Sequence, residues 1–118
     1  MKPVKRALLF VALPLLAHHS LTAEFDLDRP VKIEGTVARV EWTNPHAWIY
    51  VDVSRTEQWA VEVGPPAELI RRGWHRTDLK QGDKVSIDGI LAKKLPRTAN
   101  ARTIFLPNGT KVFYGRAE

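Results

Sequence analysis

From Val31 to Val63 the chain alternates apolar and polar residues with a period of two, a rhythm that suits strands and excludes long helices. Val31, Ile33 and Val37 alternate with Lys32, Glu34 and Thr36. Ala47, Ile49, Val51 and Val53 alternate with Trp48, Tyr50 and Asp52, and Trp59, Val61 and Val63 follow a turn at 54–57. Successive strand residues point to opposite faces, so each run is half-buried. Gly35 sits inside the first run, and beyond it the apolar side shifts to Val40 and Trp42, as a bulge or tight bend requires. Thr43-Asn44-Pro45 separates the first run from the second. Three runs joined by short turns predict an antiparallel meander.

Gly64-Pro65-Pro66 then resets the chain, and Ala67 to Arg72 reads as a helix of about two turns, with Gly73 just past its end. After a turn over Thr77 to Asp83, Val85, Ile87 and Ile90 predict a fourth strand. A basic, proline-containing loop from Lys93 to Asn100 leads to Thr103-Ile104-Phe105-Leu106. Asn108-Gly109 is a tight-hairpin signal, and Lys111 to Tyr114 returns as the last strand. Three strands, a helix and two or three more strands give a mainly β fold. The expectation is a small OB-like antiparallel barrel of five to six strands, with one short helix between strands three and four. Closure also removes the exposed edges that a small β protein must otherwise protect. A flat sheet with one helix is the alternative.

The N-terminus reads differently. Lys2, Lys5 and Arg6 precede an apolar run from Ala7 to Ala17, far shorter than the roughly 18 residues that read as a bilayer span. Residues 1–17 are therefore read as a signal peptide, 18–30 as the N-terminal segment of the mature protein, and 31–118 as the barrel domain. This predicts a periplasmic protein with no membrane span after cleavage. Cutting after Ala17 exposes His18 as the new N-terminus; Ala23 is the rival cleavage point. Three of the 18 Lys/Arg lie in the signal, leaving 15 basic against 13 acidic side chains, a net charge of +2. That balance argues against a nucleic-acid partner, which calls for a clustered basic surface. The chain contains no cysteine, so the fold rests on its core alone.

Four histidines carry the candidate chemistry: His18, His19, His46 and His75. A free N-terminal histidine offers a metal two nitrogens, the α-amine and the imidazole. With His46 as a distant third nitrogen, the set forms a histidine brace, and Glu24 or Asp26 could supply an oxygen. Amine, imidazole and carboxylate without thiolate suit copper(II), nickel or zinc better than copper(I). The candidate metal ligands are therefore His18, His19, His46 and Glu24, with copper as the candidate cofactor. His75 reads as a surface residue. Trp48 and Tyr50 lie opposite Ile49 and Val51 and form a candidate face for a small molecule, a glycan or a periplasmic protein partner. No nucleophile elbow, phosphate-binding glycine loop or His-Glu-x-x-His helix is present, so a binding role is favoured over an enzyme.

H-H-S-L-T-A-E-F-D (18–26), G-T-V-A-R-V-E-W-T-N-P-H (35–46), R-R-G-W (71–74), L-K-Q-G-D (79–83) and A-N-A-R-T (99–103) resemble a family of small exported bacterial proteins. It is the domain of unknown function numbered 6152. The resemblance spans the mature chain, and W-T-N-P-H is its most specific part. It implies export and a single small domain, and it brings no activity or substrate. Leu21 departs from it, standing where the pattern has an aromatic residue.

Overall fold

A computed structural model of the chain describes residues 20–109 and 111–113. The elements run α1 (Ser20–Glu24), β1 (Phe25–Glu41), β2 (Trp48–Asp52), β3 (Gln58–Glu62), α2 (Pro66–Arg71), β4 (Lys84–Ala92), β5 (Thr98–Phe105) and β6 (Lys111–Phe113). The sheet order is β3-β2-β1-β4-β5-β6, and a further β3–β5 pairing closes the first five strands into a barrel. All neighbours are antiparallel except that closing pair, which is parallel. The expected barrel is present, and α2 lies between β3 and β4.

The period-two rhythm explains the packing. Ile33 and Val37 of β1, Ile49 and Val51 of β2, Val61 of β3 and Ile87 of β4 point inward and are buried in one cluster. Each such aliphatic side chain contributes about 1.5–3 kcal/mol on burial. Ala99, Ala101 and Ile104 complete the cluster from β5, and Leu69, Trp74 and Leu79 extend it from α2 and the chain that follows. β1 is long because it serves two neighbours, pairing with β4 over 25–36 and with β2 over 36–41. Between Val37 and Arg39 its register slips, which is the shift of the apolar side read from Val40.

α2 ends in a Schellman cap. Gly73 takes φ 93°, its N–H donates to the carbonyl of Ile70, and the N–H of Trp74 donates to that of Leu69. The cap turns Trp74 into the core, where it is 4% exposed.

Two strands begin earlier than their apolar patterns. β1 starts at Phe25, ahead of Val31, through a pairing of Phe25 with Ala92. β5 starts at Thr98, so part of the basic segment read as loop is strand and the loop shortens to 93–97. The reason is steric: alanines at 99 and 101 face a crowded interior where β3, β4 and β5 meet.

Candidate functional site

The polar centre lies on the outside of the barrel wall, where β2, β3 and β5 run side by side. Register places Trp48 opposite Glu62, and Glu62 opposite Asn100. These three therefore form one outward-facing row, and Tyr50, Ala60 and Thr98 form the next. A glutamate on an outer face is ordinarily solvated, yet Glu62 is 8% exposed. Chain from outside the wall lies near it: the Glu24 carboxylate at the end of α1 acts on Glu62 electrostatically. α1 and the 93–97 loop stand above this face, tied together by two hydrogen bonds from Lys93: its backbone N–H to the Glu24 carbonyl at 2.8 Å and its ammonium to the Thr22 carbonyl at 2.6 Å.

His46 reaches the same carboxylate from the turn before β2. The turn is held by a hydrogen bond from the Thr43 hydroxyl to the His46 carbonyl at 3.2 Å, and the Asn44–Pro45 peptide is cis. Immediately after it, Ala47 joins the β3 side through bonds with Val63 and Gly64. The His46 Nδ1 lies 3.6 Å from Glu62 Oε1, and Asn100 donates from Nδ2 to that oxygen at 3.3 Å. No Lys or Arg pairs with Glu62 among the described residues.

Burial pushes the Glu62 carboxyl above its ordinary value, and the nearby Glu24 carboxylate adds to the rise. The His46 imidazole and the Asn100 hydrogen bond oppose it. The fold thus penalises the charged form. A raised folded-state pKa gives stability that is present below the unfolded value near 4.5 and lost as pH climbs through the folded value. Glu62→Gln, which keeps an acceptor for Asn100, should therefore melt at a higher temperature than wild type at pH 7 in metal-free buffer. The advantage should vanish near pH 4.5. Melting curves across that range check this; an equal or lower melting temperature at pH 7 would contradict it.

The structure gathers some of the sequence candidates and separates others. His46 and Glu24 both neighbour Glu62 electrostatically. Trp48 lines a cavity beside it, while Tyr50 is engaged locally: the Arg39 guanidinium sits 4.0 Å from its ring centroid and its hydroxyl donates to Glu41 at 3.3 Å. His18 and His19 lie outside the described residues. His75 is exposed and sits beside Asp78, away from this row. Asp26, the other oxygen considered, accepts a hydrogen bond from the Asp28 backbone.

Glu62 and Asn100 are the residues that sequence reading missed. Glu62 keeps the phase of its strand and so looks like any solvated position. Asn100 stands within A-N-A-R-T, a motif with no role attached to it, and that was the available signal.

Among the described residues no three His, Cys, Asp or Glu side chains gather as a metal site, and no helix is long and apolar enough to cross a membrane. The fold and its outer-wall cluster define a small closed β-barrel with a buried glutamate facing a half-buried histidine. The chain matches the model of a family of unknown function (DUF6152) over residues 7–100, and it belongs to that family. A search of curated proteins gives no match.

Proposed function

We propose that the protein is an exported, periplasmic binding protein for a transition-metal ion, copper(II) foremost. The ion is held between the start of the mature chain and the His46–Glu62 wall. The observation that carries this reading is the buried Glu62 carboxylate facing His46 Nδ1 at 3.6 Å, with no Lys or Arg paired to it among the described residues. Metal-binding histidines commonly donate their second ring N–H to a carboxylate, which fixes the tautomer and makes the other nitrogen more basic. With Nδ1 turned to Glu62, Nε2 is the nitrogen that His46 presents to an ion.

The remaining ligands come from the segment that leads into α1. His18 and His19 precede Ser20 by two residues and one, and the far end of α1, Glu24, lies within electrostatic range of Glu62. Cleavage after Ala17 gives His18 a free amine, so amine, its own imidazole and His46 Nε2 supply three nitrogens. Such a set suits copper(II). Glu24 can add an oxygen, and His19 is the alternative imidazole. Binding, not turnover, is the role this set supports.

Intact mass of the exported protein tests the first requirement, a chain beginning at His18; a chain beginning at Glu24 would sink the proposal. Copper(II) titration should then give one ion per chain. Placing one extra residue ahead of His18 separates amine from imidazole and should weaken binding by at least about tenfold, the effect of roughly 1.4 kcal/mol.

A further inference from the structure

Beside the His46–Glu62 pair, α1 and the 93–97 loop leave a cavity of about 430 Å³ against the barrel wall. That volume lies within the roughly 300–1,000 Å³ of small-molecule sites. Its roof is braced: the two Lys93 hydrogen bonds tie the roof's two segments to each other, so the space is formed in advance.

The lining is mainly apolar and asymmetric. Trp48 supplies a half-buried ring on the wall, and Phe25 and Ala92 close the inner end. Leu95 also lines the cavity yet is 63% exposed, an aliphatic side chain at an opening and not in the core. Three polar groups remain. Glu24 and Lys94 carry opposite charges that cancel. The Thr98 hydroxyl already donates to the Pro96 carbonyl at 2.9 Å, so it offers the cavity lone pairs and no proton.

An anion would meet two carboxylates, Glu24 at the cavity and Glu62 next to it, against one lysine. A ligand with a hydroxyl donor would instead satisfy Glu24 or Thr98 while its ring covers Trp48 and Leu95. Planar rings gain from contact with an indole beyond the area they bury.

We propose that this cavity binds a small uncharged aromatic molecule bearing a hydroxyl group, the phenol class, with its ring against Trp48 and its hydroxyl toward Thr98 and Glu24. This goes beyond the ion site, with which it shares Glu24; Trp48, Leu95 and Thr98 are not among the proposed metal ligands.

The test is a titration of the ¹⁵N-labelled exported protein, stripped of metal, with 4-ethylphenol. Saturable shifts are expected at the backbone amides of Ala92, Lys94, Leu95 and Thr98 and at the Trp48 indole N–H. Trp48→Leu and Leu95→Asp should each weaken binding about tenfold or more. Because Leu95 is exposed, its variant keeps the fold and the comparison stays valid if Trp48→Leu does not. 4-Ethylcyclohexanol and 4-ethylbenzoate should bind at least about tenfold more weakly than the phenol.

Absence of saturable shifts, or unchanged affinity in Leu95→Asp, overturns the site. Equal binding of the cyclohexanol overturns the aromatic assignment, and equal binding of the benzoate overturns the neutral one. Copper(II) affinity of Leu95→Asp should match wild type, so a failure here and a failure of the ion site are separately visible.

Discussion

His46→Ala is expected to weaken copper(II) binding by more than about 100-fold, with the barrel still folded. Losing a partner that only orients a ligand typically costs roughly 10–100-fold, and losing the ligand itself should exceed that. His46 sits in a turn and its side chain is 30% exposed, so the truncation leaves little cavity in the core. Glu62→Gln should fall between: the amide keeps the shape beside Nδ1 but carries no charge, and a loss of about tenfold is expected. His75→Ala is the control, since that imidazole is three-quarters exposed beside Asp78. Isothermal titration of the four proteins decides the matter. Equal affinity in wild type and His46→Ala would remove His46 from the site.

Gly35→Ala should cost about 3 kcal/mol or more, the upper end of what overpacking costs and a large share of a small domain's stability. A Cβ at Gly35 would lie 2.2 Å from the Asp52 carbonyl oxygen and 2.9 Å from a Val51 methyl carbon. The first of these is backbone, which cannot swing aside as a side chain does. Asp52 is the partner of Thr36 in the β1–β2 ladder, so relief means separating the two strands where β1 changes neighbours. For a domain of this size the loss corresponds to a fall of roughly 12 °C or more in melting temperature. Gly73→Ala serves as comparison: apart from its chain neighbours, no atom of the described residues lies within 4 Å of where its Cβ would stand, and only the left-handed backbone is strained. Thermal melts in which Gly35→Ala is the milder of the two would refute the steric account.

The barrel was legible because its inward residues are large and branched. Ile33, Val37, Ile49, Val51, Val61 and Ile87 mark one face without ambiguity. Where the inward residues are small, the pattern fades: Ala99 and Ala101 are as deeply buried as any isoleucine, yet Thr98 to Asn100 reads as loop. The start of β1 fades for the opposite reason, since Asp26, Asp28, Arg29 and Pro30 give little apolar rhythm although the chain there is extended.

His46 was legible as a chemical group on a constrained turn, and its partner was not. Glu62 occupies the outward phase of its strand, and nothing local distinguishes it from a solvated residue. Its surroundings are set by distant chain: His46 stands 16 residues before it, Glu24 is 38 before it and Asn100 is 38 after it. Surroundings set by distant chain leave no periodic trace. Trp48 and Tyr50 looked equivalent by alternation; neighbouring Arg39 and Glu41 from β1 separate them.

The parallel seam between β3 and β5 has a consequence for when this protein becomes competent. It consists of three residue pairs, the last being Glu62 with Asn100, whose side chains bond across a sequence separation of 38. Such a contact forms only once the entropy of the intervening chain has been given up. An unfinished chain therefore carries His46 and Glu62 without Asn100 bonded to the carboxylate. Only the completed fold sets His46, Glu62 and Asn100 together on the outer wall.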